Sequence, residues 1–291
     1  MIILLIVAGY SAAMAQTTIS YNGSVQYATG KYMFTERTDS FYFVNGLSFT
    51  GPQSGLSFSI PLISQNSPWI SYSGIGVTPT GGKEHGKLDH GGKNGDGGGG
   101  SGGGGKMKTP AQNDLVQSET IPLQDTLSYS KTGFGDPSVS VYTQLLQERP
   151  NQPGIRALGN VKLPVADLDR GYGTGEWDFG AGLNISKRFE NTFLFLDAMY
   201  WWLGDLPDLE LKNPVSFGIA WGQALIPQKL SSMVSVNGYS EIIEGIDPPL
   251  SLNTGLNYWF GNGHGLNGSL SFGLSDSSPD FSATFGWRFQ F

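Results

Sequence analysis

The stretch that decides the fold is FSATFGWRFQF, residues 281–291. Every second residue is apolar and most are aromatic: Phe281, Ala283, Phe285, Trp287, Phe289 and Phe291. The residues between them are small or polar: Ser282, Thr284, Gly286, Arg288 and Gln290. Strict alternation predicts a β-strand with one apolar and one polar face. An almost wholly aromatic face of this length is typical of a strand that faces lipid.

The same alternation recurs along the chain and predicts twelve strands of about ten residues, the length of a transmembrane strand. We place them at 17–28, 39–50, 54–63, 135–147, 154–164, 176–189, 192–202, 214–224, 230–241, 250–260, 266–275 and 281–291. Two segments alternate less cleanly, because Asn45 and Ser232 fall on the apolar faces.

The predicted connections sort by length. Counted from the N-terminus, the even-numbered ones are short: 51–53, 148–153, 190–191, 225–229 and 261–265. The odd-numbered ones are mostly longer: 29–38, 64–134, 165–175, 203–213, 242–249 and 276–280. This asymmetry is typical of an outer-membrane barrel, with short periplasmic turns and long extracellular loops. A soluble sandwich has no reason to sort its loops in this way.

The sequence therefore predicts an all-β fold, a closed transmembrane antiparallel β-barrel of about twelve strands. The last strand must pair with the first, because lipid cannot hydrogen-bond an open sheet edge. Both termini are expected in the periplasm, and one long Gly-rich loop is expected outside the cell.

Composition agrees with a barrel that has a polar interior. The hydrophobic fraction is 38 %, low for a solid core in a chain of 291 residues, and there is no cysteine to form disulfides. The net charge of −7, without a basic patch, argues against a nucleic-acid partner. No cofactor motif is present, so no cofactor is expected.

Residues 1–15 are predicted to be a signal peptide, which leaves 16–291 as the barrel. The apolar run 2–8 precedes Ala13-Met14-Ala15, a small-x-small cleavage pattern. The run is shorter than the roughly 20 residues of a spanning helix. The basic segment that usually precedes such a run is missing, so either the true start lies upstream or the start codon is misassigned. The alternative interpretation is a buried N-terminal strand.

The Gly-rich segment 81–108 lies inside the longest connection. Glycine runs lose the most entropy on ordering, which predicts an exposed and mostly disordered insert. His85, Asp89 and His90 could bind a metal transiently, but such a loop cannot preorganise ligands. A solvated tether is the preferred interpretation, and no metal site is predicted. Whether the whole connection 64–134 folds into the lumen is left open.

Several short stretches resemble a known family. They are GFGD at 133–136, VKLP at 161–164, GTG at 173–175, DFGAG at 178–182 and SKRF at 186–189, with TERT at 35–38 and FSIP at 58–61 also fitting. In this order they resemble outer-membrane transporters associated with the meta-pathway of phenol degradation, best over 133–291. The resemblance implies a barrel that moves small, often aromatic, molecules. The Gly-rich insert does not fit, and Val165-Ala166-Asp167 stands where the family tends to have Thr-Gly-Asp.

The C-terminal residues Gly286, Phe289 and Phe291 also resemble the signal by which Gram-negative assembly machinery recognises barrel proteins. The resemblance implies that this machinery is a partner during folding, alongside the lipid of the outer membrane.

The polar face of each strand predicts which charged side chains point into the lumen. They are Asp136, Arg156, Lys162, Glu176, Asp178, Arg188, Asp197, Glu241 and Arg288. Asp136, Glu176 and Asp178 are expected near the outer strand ends, and Arg188 and Arg288 near the periplasmic ends. This predicts an acidic mouth and a basic exit that select permeants by charge and size. The alternative is a lattice of internal salt bridges that braces the wall.

Asp197 fixes the parity of the strand 192–202 and turns four apolar side chains inward: Phe193, Phe195, Met199 and Trp201. Apolar residues are unusual in a polar lumen. Phe195, Met199 and Trp201 could form a greasy strip that guides an aromatic permeant. The alternative is a packing patch against an inserted loop.

The predicted function is a channel for passive uptake of small, hydrophobic or aromatic molecules. The main alternative is a structural or adhesive barrel with a filled lumen. An outer-membrane hydrolase would need a base, commonly His, beside a nucleophile or an acid. His85 and His90 lie in the Gly-rich segment and His264 lies in a short turn. We therefore expect no enzyme and no catalytic residues.

Overall fold

The computed structural model describes residues 17–81, 131–206 and 209–291. The predicted signal peptide and all of the Gly-rich segment except Gly81 lie outside these residues. No helix among the described residues is long and apolar enough to cross a membrane. A single turn of 3₁₀ helix, Leu168–Arg170, lies in a connection.

The described residues form fifteen strands. Their bounds are β1 Thr18–Gly30, β2 Thr38–Thr50, β3 Ser54–Gln65, β4 Ser71–Ser73, β5 Gly76–Thr78, β6 Lys131–Phe134, β7 Ser138–Leu146, β8 Gly154–Lys162, β9 Asp178–Phe189, β10 Thr192–Trp202, β11 Val215–Ile226, β12 Leu230–Tyr239, β13 Leu250–Gly261, β14 His264–Gly273 and β15 Phe281–Gln290.

Twelve of these strands form a closed antiparallel barrel, in the ring order β1, β2, β3, β7 and then β8 to β15. The ring closes where β15 pairs with β1, Phe281 opposite Thr29 and Gln290 opposite Ser20. Closure leaves no open sheet edge in the barrel wall, as lipid requires. The predicted strand count and the predicted pairing of the last strand with the first are confirmed.

The strand predicted over 135–147 begins at Ser138 as β7, and a short strand that was not predicted, β6, precedes it. β6 pairs with 62–65 of β3, and β7 pairs with 54–59 of the same strand. Between them, Gly135 donates its N–H to the carbonyl of Pro61 at 2.8 Å, whereas Pro61 and Pro137 have no N–H to give. The prolines therefore break the ladder, and Asp136 lies in the break.

The outer face of the barrel is apolar. Phe41, Ile219 and Phe285 each expose more than half of their surface, while the neighbours of Phe285 along β15, Thr284 and Gly286, face the lumen. Asn45, the exception on the outer face of β2, accepts a hydrogen bond from the Tyr21 hydroxyl at 2.6 Å. That bond satisfies the amide oxygen where lipid offers no partner.

The two ends of the barrel differ in their connections. We call the end with the short connections, 51–53, 147–153, 190–191, 227–229 and 262–263, the turn end. We call the other end, with 31–37, 66–137, 163–177, 203–214, 240–249 and 274–280, the loop end. β1 starts and β15 finishes at the turn end. The predicted sorting of the loops is confirmed.

Replacing Leu270 by Arg should lower the free energy of unfolding by about 2–4 kcal/mol, because its side chain projects outward near mid-bilayer depth. Ser271→Arg is the matched control, because the side chain of residue 271 projects into the polar lumen and the substitution should cost little. Urea unfolding of the protein refolded in lipid vesicles measures both. Equal losses for the two variants would contradict the assignment of the faces.

Candidate functional site: a lumen closed at the loop end

A hairpin formed by β4 and β5 crosses the lumen at the loop end. The ring of Tyr72 lies 5.9 Å from that of Tyr42 on β2. The hydroxyl of Tyr239 on β12 donates a hydrogen bond to the carbonyl of Ile75 at 2.7 Å. Since β2 and β12 lie on nearly opposite sides of the ring, the hairpin spans the opening.

The hairpin packs into a buried apolar cluster, which we call the loop-end plug. The plug combines residues of the hairpin segment with residues of three other loop-end connections and of β10. Its buried members are Tyr32, Phe34, Trp69, Ile70, Ile75, Trp201, Leu203, Leu206, Leu209, Leu211, Ile242 and Ile243. Each large side chain stabilises the packing by about 1.5–3 kcal/mol when fully buried. The plug therefore behaves as a small hydrophobic core inside the barrel mouth.

A buried cluster of charges lies beside the plug. The ammonium of Lys162, the last residue of β8, lies 2.9 Å from Asp178 and 3.2 Å from Asp136 and also donates to the Thr174 hydroxyl. The three charged side chains are each at most 1 % exposed. We call these four residues the Lys162 cluster. Buried charges at this depth must be paired and hydrogen-bonded, because desolvation of an unpaired ion is costly.

The two carboxylates of the Lys162 cluster bind backbone N–H groups of the connections. Asp136 accepts from Val165 and Ala166, both at 2.8 Å. Asp178 accepts from Gly74 in the hairpin turn at 2.7 Å and from Gly204 at 3.1 Å. The cluster therefore fastens three loop-end connections, including the hairpin, to the wall of the barrel.

Two glycines allow this close approach. A Cβ on Gly173 would lie 2.3 Å from a carboxylate oxygen of Asp136. A Cβ on Gly74 would lie 2.8 Å from the Cβ of Asp178 and 3.1 Å from the ring of Trp201. A larger residue at either position must push the connection away from the charges.

The stretches that carry the family resemblance converge on the Lys162 cluster. Asp136 belongs to 133–136, Lys162 to 161–164, Thr174 to 173–175 and Asp178 to 178–182. The sequence identified the three charged residues as separate lumen positions. It did not predict Thr174, whose only signal is its place in one of these stretches. It also did not predict that Val165 and Ala166 would bind Asp136 through their backbone, whatever their side chains.

Three predicted acids do not lie on a strand: Glu176, Glu241 and Asp136, the last of which lies in the break between β6 and β7. β9 begins at Asp178, so Glu176 precedes it and is exposed. β12 ends at Tyr239, whose last pairing is with Ser216 of β11, and Glu241 lies in the following connection. There Glu241 pairs with Lys212 at 2.5 Å, and the Lys212 hydrogen bond lowers the pKa of this carboxyl. With Asp136 and Asp178 buried against Lys162, these acids do not line an open mouth.

Three predicted arginines lie in the turn-end halves of their strands. Arg156 donates from Nε to Gln144 at 2.8 Å and covers the ring of Tyr142. Arg188 donates to the carbonyl of Glu190 at 3.0 Å. Arg288 donates to the hydroxyl of Ser20 at 3.1 Å. Arg188 and Arg288, the two arginines predicted for the periplasmic strand ends, therefore lie at one end of the barrel, and Arg156 lies at the same end.

The inward apolar residues of β10 divide between two environments. Trp201 is 6 % exposed, packs in the plug, and donates from its indole to the Ser216 hydroxyl at 3.0 Å. Met199 packs against the same cluster. Phe195 instead lines a cavity below the plug. Of the three residues predicted to form an apolar strip, Met199 and Trp201 therefore pack against the plug, and Phe195 lies on the wall of the cavity.

Two cavities lie along the lumen wall. The first, of about 500 Å³, is bounded by β9 to β12 and has Asn184, Phe195, Asp197, Met233, Ser235 and Asn237 among its lining residues. The second, of about 490 Å³, extends into the turn-end half and has Asn22, Ser48, Ser57, Asn257, Asn267 and Arg288 among its lining residues.

Within the described part of the chain, no group of His, Cys, Asp and Glu could hold a metal ion.

The residues of the predicted assembly signal lie at the turn end of β15. Gly286 faces the lumen beside Asn267. Phe289 faces outward with its ring 6.0 Å from that of His264, and Phe291 follows the strand and is 81 % exposed.

Lys162→Met should lower the free energy of unfolding by about 3–5 kcal/mol, because it leaves two buried carboxylates without their cation. Lys212→Met is the matched control, since its pair with Glu241 is exposed to solvent and should contribute little. Denaturant unfolding in micelles compares them. A loss at Lys162 no larger than at Lys212 would mean that the Lys162 cluster does not hold the loop end.

Comparisons with known proteins agree with the barrel. The structure of the COG4313 outer membrane channel from Pseudomonas putida F1 matches with a TM-score of 0.61 and 12 % identity, over 94 % of this chain and 95 % of that chain. The CymD monoaromatic hydrocarbon channel matches at 0.43 and 7 %, over 94 % and 88 %. The P. putida toluene transporter TodX matches at 0.42 and 8 %, over 98 % and 92 %.

At 12 % identity, the COG4313 channel structure shows a shared fold and nothing more. No curated protein matches the sequence. A family model, in contrast, matches residues 90–291, which is more than half of the chain. The chain therefore belongs to the family described as "Putative MetA-pathway of phenol degradation".

Proposed function

We propose that this protein is an outer-membrane channel for passive uptake of small apolar or aromatic molecules, and that the loop-end plug gates it. The observation that carries the proposal is a lumen with two cavities behind a plug made of loop residues. A filled barrel has no need of such space. The family and the fold shared with an outer membrane channel support the same function.

The cavities suit a small aromatic permeant. A cavity of about 150 Å³ is enough to hold one benzene molecule. The cavity below the plug is about three times larger, and Phe195 and Met233 give it an apolar side. A permeant that passes the plug would therefore meet an apolar surface first and the polar turn-end wall afterwards.

The loop-length asymmetry supports an orientation. Long loops of outer-membrane barrels face the outside of the cell and short turns face the periplasm. We infer that the plug closes the extracellular mouth, that both termini are periplasmic, and that Arg156, Arg188 and Arg288 lie near the exit. Gly286, Phe289 and Phe291 would then meet the assembly machinery in the periplasm.

We expect no catalysis. His264 Nδ1 accepts the backbone N–H of Gln290 at 3.2 Å in the turn-end hairpin, where it holds the last strand. A hydrolytic site would need this base beside a nucleophile. The alternative that does have an observation in its favour is a structural or adhesive barrel, because the plug fills the loop end.

Gly74→Ala should increase uptake several-fold. The added Cβ meets Asp178 and Trp201, so the hairpin must move away from the wall and open the mouth. Initial uptake of labelled toluene by Gram-negative cells that express the protein is the measurement, since phospholipid vesicles pass toluene without a channel. Gly268→Ala is the matched control, because a Cβ there has no contact closer than 3.9 Å.

Two results would count against this account. If the wild-type protein supports uptake and Gly74→Ala does not change it, the hairpin is not the gate. If neither protein raises uptake above that of cells without it, while both are folded in the membrane, the filled-barrel alternative is correct.

Arg288→Glu should shift ion selectivity toward cations and change the uptake of neutral toluene much less. A reversed charge on the lumen wall acts on charged permeants first. The measurement is the reversal potential of the purified protein in a planar bilayer with a salt gradient. An unchanged reversal potential in a conducting variant would show that Arg288 does not lie on the ion path.

A further inference from the structure

We propose that the cavity below the plug is a selectivity site for small aromatic molecules that carry a protonated amine, with Asp197 as the residue that binds the ammonium. The proposal rests on the proposed channel function and names its preferred permeant. The site lies on the wall formed by β9 to β12, away from the Lys162 cluster.

Asp197 is a carboxylate that forms no ion pair with any residue in the described part of the chain. Its Oδ1 accepts a hydrogen bond from the amide of Asn184 at 3.2 Å. Every ion pair found within the described ranges joins other residues. Asp197 thus differs from Asp136 and Asp178, whose charge is matched inside the protein, and its charge is left for a permeant.

The second oxygen of Asp197 is held over Gly218 on β11. A Cβ at Gly218 would lie 2.1 Å from Asp197 Oδ2 and 2.8 Å from Asn237 Oδ1. The glycine therefore lets two acceptor oxygens, one from β10 and one from β12, approach the same part of the wall. The Asn237 amide nitrogen donates to the Ser235 hydroxyl at 3.4 Å, which leaves the amide oxygen available as an acceptor. Two convergent acceptors fit an ammonium, which has several N–H donors and no acceptor.

The same cavity offers an apolar surface to the rest of the molecule. Phe195 precedes Asp197 by two residues on the inner face of β10, and Met233 faces the cavity from β12. An aromatic ring can pack on the Phe195 ring and the Met233 thioether while its amine reaches Asp197. The volume of about 500 Å³ holds such a molecule with water around its polar end.

The charge of the cavity decides which permeants it favours. A carboxylate attracts an ammonium and strengthens the hydrogen bonds that the ammonium donates. It repels an aromatic acid, and a neutral alcohol of the same size gains only an ordinary hydrogen bond. The expected order of affinity is therefore amine, then alcohol, then acid.

The test is binding of three matched probes to the folded full-length chain in uncharged detergent micelles near pH 7, followed by ¹⁹F NMR. The probes are 2-(4-fluorophenyl)ethylamine, 2-(4-fluorophenyl)ethanol and 4-fluorophenylacetate, with micelles alone as the reference for partitioning. The amine should bind about tenfold more tightly than the alcohol, a difference of the size that one charge-assisted contact produces. Added salt should reduce this difference.

Asp197→Asn should abolish the preference for the amine and leave the alcohol unaffected, since the asparagine keeps the shape of the side chain. Asp280→Asn removes an exposed loop-end carboxylate outside the cavity and should preserve the preference. Equal binding of amine and alcohol by the wild type, or a preference that survives in Asp197→Asn, would overturn the inference. Toluene uptake by cells tests the channel function separately from the amine site. If cells take up toluene but the amine preference is absent or does not depend on Asp197, only this inference is contradicted. An amine preference without any uptake contradicts the channel and leaves the binding site.

Discussion

The burial of one lysine between two aspartates organises the loop end of this barrel. A barrel wall can close through its backbone hydrogen bonds alone, but its long connections are not part of that hydrogen-bonded ladder. Lys162 holds them instead. Its charge pairs with Asp136 and Asp178, and these carboxylates accept hydrogen bonds from the backbone of three connections. Loss of any one of these three charges would leave another charge buried without a partner, which is costly, so the three residues stabilise the loop end together. The position of the hairpin follows from it.

The lumen combines two kinds of packing that a soluble protein would separate. Near the loop end, side chains from several connections form an apolar core around Trp201 and Ile75. Below it, serine, asparagine and glycine line the wall and leave the cavities unfilled. The barrel scaffold keeps both in place, so the plug can be stable without filling the whole interior. The proposed gating needs movement of the plug alone, because the wall is held by its own ladder of backbone hydrogen bonds.

The wall could be predicted from the sequence because each strand repeats the same physical rule. Alternation in FSATFGWRFQF gave the face of every residue from 281 to 291, and loop lengths gave the ends of the barrel. The Lys162 cluster could not be predicted, since its partners meet only through strand register and folded connections. The hairpin has a signal in the sequence, because Trp69, Ile70, Ile75 and Val77 are apolar residues in the connection 64–134, whose place inside or outside the lumen the strand pattern leaves open. The prediction that Glu241 lies on a strand is wrong, because the alternation of polar and apolar residues continues beyond Tyr239, where β12 ends.

The central claim is that a conducting lumen lies behind a removable plug. Single-channel conductance in planar bilayers tests it most directly, with the wild-type protein and a variant whose residues 71–78 are replaced by a short Gly-Ser linker. The account predicts small or brief current steps for the wild type and larger, longer-lived steps for the variant. Absence of current from both proteins, or identical steps, would contradict it.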